Sequence, residues 1–383
     1  MTVTIPDGTP PRTEPVTMSA TDPRRRDQAS QWRLVWWRFR KHKLAMAGAI
    51  VLATVYLLAI FADFVAPSTL DQYDTRYTYA APQTVHVYDD GDWGFYTHPY
   101  TMQRDPDTFE EKFAVDESTK IALGFFVHGK PYEMFGFIAS DIHLFGPVHA
   151  GDPFYPLGAN AQGQDVLSRV LHGARISMSI GLIGVLLSLL LGLLLGGISG
   201  YYGGAVDTVI QRVIEFLTSI PTIPLWMGLA AAVPPTWSSV QTYLAITVIL
   251  SLLAWTDLAR QVRGRFLAMR HEDFVTASIL DGAGPMRVMW RHMLPSFTSH
   301  IIASVTLAVP AMILAETTLS FLGLGLQYPA VSWGVLLQEA QNLRAITTAP
   351  WLVLAPGIAV VVAVLSFNFV GDGLRDAADP YRQ

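Results

Sequence analysis

Few residues of this chain have the type and spacing for bond-making chemistry. Gly129-Lys130 sets a glycine beside a lysine, but no Gly-x-x-x-x-Gly-Lys-Ser/Thr run surrounds it to fold backbone amides around a nucleotide phosphate. The chain is therefore not itself an ATPase. His86, His98, His128, His143 and His149 fall in one segment, yet none has the close spacing of a familiar metal site, and they read as ordinary surface or core histidines. No His-Glu-x-x-His or Gly-x-Ser-x-Gly occurs. Cysteine is absent, which removes thiolate metal sites and disulfides. What remains is charge inside apolar stretches, which is costly and marks either a pathway or a brace. Glu316, soon after Pro310, is either a pathway residue facing a cavity beside a broken helix, or a carboxylate that reaches the interface or bonds a neighbouring helix. Arg212 and Glu215, one helical turn apart, read as a local ion pair or as snorkelling side chains.

These residues must be held by membrane-crossing helices. Hydrophobic residues make up 51% of the 383 and charged residues 15%, the balance of a membrane protein, while the net charge of −5 adds little. A hydrocarbon core of roughly 30 Å takes about 20 helical residues to cross. Six apolar stretches reach or approach that length: Leu44–Val65, Ile176–Ser199, Val209–Val233, Val240–Trp255, Phe297–Leu322 and Trp351–Val370. The fourth is the shortest. No apolar h-region precedes the first, so it is expected to be an uncleaved anchor.

Charge orients the crossings. Arg24, Arg25, Arg26, Arg33, Arg38, Arg40, Lys41 and Lys43 precede the first stretch and place the N-terminus in the cytoplasm. Arg260, Arg263, Arg265, Arg270, Arg287 and Arg291 mark a second cytoplasmic segment, and six crossings return the C-terminus inside. Between the first two stretches lies a long segment that is mainly acidic, with Asp89, Asp90, Asp92, Asp105, Asp107, Glu110 and Glu111, and it is expected outside. Runs such as Thr84–Tyr88 and Ile121–Val127 between Gly, Pro and Asp punctuation predict short strands and turns there. The expected division is a cytoplasmic segment over 1–43, a first transmembrane helix over 44–65, an external insert over 66–175, a transmembrane domain over 176–371 with a cytoplasmic loop over 257–295, and a cytoplasmic tail over 372–383.

Two patterns speak to function. Gly184, Ser188, Gly192, Gly196, Gly200 and Gly204 recur every four residues, a stripe along which a neighbouring helix of this chain or another can approach closely, with Gly192, Gly196 and Gly200 at its centre. The second is the arginine-rich loop containing Glu272-Asp273-Phe274-Val275-Thr276-Ala277-Ser278-Ile279-Leu280-Asp281-Gly282 and ending in Leu294-Pro295. Pinned at both ends to membrane spans, it suits a segment that passes force between a soluble partner and the helices. It resembles the coupling loop of binding-protein-dependent ABC transporter permeases, whose pattern is Glu-Ala-Ala, three residues, Gly, nine residues, then Ile-x-Leu-Pro. Ala277, Gly282, Leu294 and Pro295 fall in register, while Thr276 stands for Glu, Ser278 for the second Ala and His292 for Ile.

Further segments are similar to the dipeptide and oligopeptide class of these permeases, and to the C-type member of its heterodimeric pair. They are Phe39–Ala45, Pro156–Gly158, Gly163–Arg169, Gly173–Ser177, Gly200–Gly204, Glu316–Gly325 and Gly371–Asp376. The resemblance implies an all-α membrane protein of the type I ABC importer permease fold, six transmembrane helices carrying a long extracytoplasmic insert, in a bacterial inner membrane. It implies no catalytic residues and no cofactor bound by this chain, with ATP and Mg used by partner subunits. The implied partners are a second permease subunit, two ATP-binding subunits, a periplasmic solute-binding protein and membrane lipid, but no nucleic acid. Asp273 to Arg291 would form two short helices turning at Gly282, the first seated in a groove of the ATPase. Short peptides or peptide-like solutes are the implied cargo, with oligosaccharides as the alternative. An ion-coupled secondary transporter needs no docking loop and usually shows several intramembrane acids, whereas this chain has the loop and few acids.

Overall fold

The computed structural model describes residues 31–89, 92–104 and 111–378. Arg24, Arg25 and Arg26 of the first basic cluster, and Asp90, Asp105, Asp107 and Glu110 of the acidic segment, lie outside the described residues. Helix α1 (Gln31–Phe39) leads to α2 (Lys43–Ile60), which starts where His42 Nδ1 accepts the Ala45 amide at 3.1 Å. A short α3 (Ala62–Val65) follows.

The insert then folds on two sheets. Strands β1 (His86–Asp89), β2 (Asp92–Thr97), β5 (Ile121–Met134) and β6 (Ile138–Pro147) form an antiparallel sheet in the order β1-β2-β5-β6, and β3 (Tyr100–Arg104) pairs with β4 (Glu111–Val115). Gln83 clamps the insert's base, donating to the His98 carbonyl at 3.0 Å and accepting the Tyr155 amide at 2.6 Å. His143 is buried and its Nδ1 lies 2.7 Å from the Ala66 carbonyl, so it fastens β6 to the chain leaving α3.

Helix α4 (Val166–Tyr202) has 37 residues, roughly 55 Å at 1.5 Å per residue. It begins ten residues before the apolar stretch because Asp165 caps it, accepting the Ser168 amide at 2.7 Å and the Ser168 hydroxyl at 2.6 Å. Its outer turns hold the insert's root. Asp63 meets His172 Nε2 at 3.1 Å and Arg175 Nη2 at 2.9 Å, and the Ser68 amide donates to Ser168 Oγ at 3.1 Å.

The third stretch departs from a straight crossing. It is split into α5 (Gly204–Ser219) and α6 (Thr222–Ala231), bent by 87° at Pro221, whose ring cannot continue the helix behind it. The fourth stretch, by contrast, is longer than its apolar part. Helix α7 (Ser239–Met269) starts at a capping box of Ser238 and Gln241 and runs fourteen residues past Trp255, since nothing polar in that run breaks a helix. Next come α8 (Asp273–Leu280), α9 (Pro285–Arg287), a π-helical turn (Val288–Met293) and a 3-10 turn (Leu294–Phe297). Helix α10 (Thr298–Phe321) carries on through Pro310 without a break; α11 (Trp333–Glu339) and α12 (Leu343–Thr348) then lead to α13 (Trp351–Ala378), which continues past Asp372.

Among the described residues five helices are long and apolar enough to cross a membrane, and the bent α5–α6 pair makes a sixth if it is one span. Packing requires that sixth. Ser179, Ser188, Gly196 and Gly200 of α4 meet Tyr243, Ser251, Ala259 and Phe266 of α7 in the same order, so α4 and α7 run parallel. The chain between two parallel neighbours has to come back across, and α5–α6 is the segment that does so. Phe39, Ala45 and Ala377 pack together, so both ends of the described chain lie at one end of the bundle. The main core sits between α4, α7, α10, α11 and α13, around Met178, Ile180, Leu250, Ile313 and Trp333.

Candidate functional site

The loop after α7 is built as a socketed knob. Glu272 is the N-cap of α8, and Asp273 in the first turn places negative charge at the positive end of the helix dipole. The helix ends in a Schellman motif: the Ala283 amide donates to the Ser278 carbonyl at 3.1 Å and the Gly282 amide to the Ile279 carbonyl at 3.0 Å. Gly282 has φ +84, a conformation that favours glycine, and no atom stands within 4 Å of where a Cβ would go. Here the constraint on Gly282 is conformational rather than steric.

One face of the knob is seated. Val275 of α8 is buried with Val288, Met289 and Met293 of the second helical piece and Phe297 at its end; these pack against Val262 and Phe266 of α7 and Ile301 of α10. Leu294 is half-buried on the same cluster, and Pro295 is exposed where the chain turns into α10. Ser278 points inward and is buried. The loop is therefore wedged between two crossings and cannot shift without pressing on both.

The other face is apolar and unpaired. Asp273, Thr276 and Ala277 are exposed. So are Phe274 and Ile279, while Leu280 at the apex is 82% exposed; Met286 and Trp290, also exposed, contact each other, with Trp290 in a cleft beside Leu193, Leu194 and Ile198 of α4. Large apolar side chains grouped on a protruding turn mark a contact surface. Sequence reasoning picked out the small residues and Gly282, and passed over Phe274, Ile279 and Leu280. The signal was present: Ile279 and Leu280 stand directly before the turn residues Asp281 and Gly282, where a large apolar pair has no helix ahead of it to pack on.

The glycine stripe meets this cluster from above. A Cβ on Gly192 would lie 2.9 Å from the Leu258 side chain, one on Gly196 2.5 Å from the Ala259 carbonyl oxygen, and one on Gly200 2.7 Å from the Arg263 carbonyl oxygen. Gly192, Gly196 and Gly200 thus face α7 of the same chain, while Gly184 faces Met312 of α10, and the stripe's inner end abuts Phe266, part of the loop's seat. Gly204 falls off the stripe, since α4 ends at Gly203 and Gly204, with φ +57, opens α5. A bidentate pair between Arg263 and Asp207, with contacts of 2.5 and 2.6 Å, ties the start of α5 to α7 at this level.

Glu316 is at the opposite end of the bundle and takes no part in the loop. It is 0% exposed, and its carboxylate accepts hydroxyl hydrogen bonds from Ser177 at 3.1 Å, Ser320 at 2.9 Å and Ser332 at 2.8 Å. In this structure it braces α4, α10 and the lead-in to α11, with α10 unbroken beside it. Arg212 and Glu215 form the local pair, at 2.6 Å on an exposed face. Between the crossings, a cavity of about 390 Å³ opens among α4, α5, α6, α7 and α10, lined by Ser188, Thr218, Trp226, Asp257, Gln261 and Ser304 among others. Asp257 was expected at the start of the loop, but α7 carries on helical for a further twelve residues and keeps it on the cavity wall.

Residues 188–382 match the family model described as binding-protein-dependent transport system inner membrane component, and residues 30–82 match the N-terminal transmembrane domain of oligopeptide transport permease C. The chain belongs to this permease family. It is a non-catalytic membrane subunit of an ABC importer, which works with ATPase and substrate-binding subunits. The permease is 42% identical over 223 residues to the oligopeptide transport system permease protein OppC of Escherichia coli K12, covering 58% of this chain and 71% of the relative. It is 39% identical over 230 residues to the dipeptide transport system permease protein DppC of Haemophilus influenzae, covering 60% of this chain and 75% of the relative. Among solved structures, an inward-facing form of the MetNI methionine ABC transporter aligns with a TM-score of 0.45 and 18% identity over 55% of this chain and 97% of that one. Residues 83–187, which include much of the insert and the outer half of α4, lie between the two family models.

Proposed function

We propose that this permease forms half of a translocation pathway for short peptides or peptide-like solutes and is driven through the loop Asp273 to Arg291. The observation that carries the proposal is the exposed apolar apex of that loop, Phe274, Ile279 and Leu280, set on a seat that engages α7 and α10 together. An ATPase subunit with a complementary groove would grip the apex. Its ATP- and Mg-dependent movement would then reach both crossings through Val275, Met293 and Phe297. In this arrangement the loop end of the bundle is cytoplasmic, as are both chain termini, consistent with Arg33, Arg38 and Arg40 at that same end. A second permease subunit completes the pathway, and a periplasmic solute-binding protein loads it from the side of the insert. The peptide class rests on the named relatives.

Leu280→Asp tests the coupling. The variant is expected to insert normally and to lower the co-purified ATPase at least about tenfold, the equivalent of 1.4 kcal/mol of docking energy. Undiminished ATPase recovery would overturn the role of the apex. Uptake of a labelled tripeptide by the reconstituted complex tests the cargo; oligosaccharide uptake without peptide uptake would replace it.

A further inference from the structure

The β5–β6 arm of the insert ends beside the membrane. Strand β5 pairs with β2 only at Ile121, Ala122 and Leu123, and beyond Val127 it runs with β6 as a two-stranded arm to the turn Phe135-Gly136-Phe137. That turn reaches the last residue of the first crossing: the Phe135 ring stands 6.2 Å from that of Phe61, the C-cap of α2, and 6.3 Å from that of Phe137. One helical turn further out, Phe64 meets Phe126 at 6.1 Å.

The composition of the turn is unusual for an exposed hairpin. Met134 pairs with Ile138 across a three-residue loop, in which Phe135 has φ +56 and Gly136 φ +77, backbone positions that Gly or Asn ordinarily takes. A phenylalanine at positive φ is strained, and a protein keeps such strain where the side chain has a use. Phe137 is 77% exposed and Phe135 49%, with Ile138 beside them also exposed, and no charge stands between Glu133 and Asp141. The patch is continuous with the apolar, outward face of α2 at Leu57, Ile60 and Phe61, which faces lipid in a membrane-spanning helix.

The level of the patch is also fixed. Helix α2 has 18 residues, about 27 Å, close to the thickness of a hydrocarbon core. Just past its end the Arg175 guanidinium donates to the Ala59 and Ile60 carbonyls at 3.1 Å and to Asp63, a charged group that marks where the apolar layer stops. Aromatic rings favour that boundary, apolar body inward and ring edge toward the headgroups. We infer that the Phe135-Gly136-Phe137 turn is an interfacial anchor, seated in the lipid leaflet where α2 ends and holding the insert against the membrane surface.

The native chain has no cysteine, so single labels can be placed without background. Phe137→Cys carries an environment-sensitive NBD label at the turn, and Glu117→Cys carries one at the opposite end of β5, in the whole transporter reconstituted in phosphatidylcholine vesicles. Lipids spin-labelled high on the acyl chain are expected to remove most of the emission at position 137 and little at 117, with aqueous iodide doing the reverse. Equal iodide quenching at both positions overturns the anchor. So does a label at 137 that is shielded from iodide yet unaffected by spin-labelled lipid, which would assign the patch to a protein neighbour, whether the solute-binding protein or the second permease subunit. Failure of the peptide or coupling proposals would leave this result unchanged.

Discussion

Gly196 and Gly197 are adjacent residues of α4 for which the structure predicts effects of opposite sign. A methyl group on Gly196 would lie 2.5 Å from the Ala259 carbonyl oxygen and 2.9 Å from the Ala259 Cα, both backbone atoms that cannot rotate away. Ordinary contact begins at 3.4 Å, so α4 and α7 must part by about 1 Å, overpacking that costs typically 1–3 kcal/mol. The loss falls on the seam whose inner end rests on Phe266, so the loop's seat is disturbed as well. A methyl group on Gly197 would meet only the Phe266 ring, at 3.6 Å, which is normal contact. There the helix gains backbone order with no clash, up to about 1 kcal/mol in favour of alanine. Gly196→Ala is therefore expected to lower, and Gly197→Ala to hold or raise, the midpoint of unfolding of the purified permease in mixed detergent micelles. Peptide-stimulated ATP hydrolysis by the reconstituted complex should fall only in the first. Equal tolerance of the two substitutions would refute the seam.

Two further substitutions probe the loop and the buried carboxylate. Gly282→Val forces a β-branched residue into φ +84, a backbone cost of roughly 1–2 kcal/mol confined to an open turn, so the variant should insert and leave the crossings intact while losing uptake; wild-type rates of uptake and ATP hydrolysis would show that the turn transmits nothing. Glu316→Ala removes the shared acceptor of Ser177, Ser320 and Ser332 and should cost about 2–4 kcal/mol, with Glu316→Gln intermediate because it keeps one acceptor oxygen. Thermal inactivation of the detergent-solubilised permease reads this order, and an alanine variant as stable as wild type would remove the brace.

Apolar length made the crossings legible because a membrane leaves few other uses for such runs. It located them better than it bounded them. The stretch Val209–Val233 hid the 87° break at Pro221, since hydropathy averages over the one residue that decides direction. Trp255 looked like an end because polarity begins there, yet a helix can carry Asp257, Arg260 and Gln261 when one side of it faces a cavity. At the loop, Gly282 was readable from its turn chemistry, whereas Val275 and Met293 were not, because their contact with Val262, Phe266 and Ile301 depends on how the loop folds back between two crossings. The two readings of Glu316 could not be separated without Ser177 and Ser332, which lie 139 and 16 residues away along the chain.

The length of α4 gives the molecule a lever. At roughly 55 Å it outreaches the hydrocarbon core by some 25 Å. At its inner end Leu189, Leu193 and Tyr201 touch the cluster that seats the loop, and at its outer end Asp165, Ser168, His172 and Arg175 hold the root of the insert. A rigid tilt of about 10°, pivoting at the loop, would carry the outer end through about 10 Å. The insert is fastened to that end by ion pairs and hydrogen bonds, not by a slack linker, so it would ride with the tilt. A small angular change at one face of the membrane becomes a displacement the size of a side-chain contact layer at the other, with a single helix as the beam.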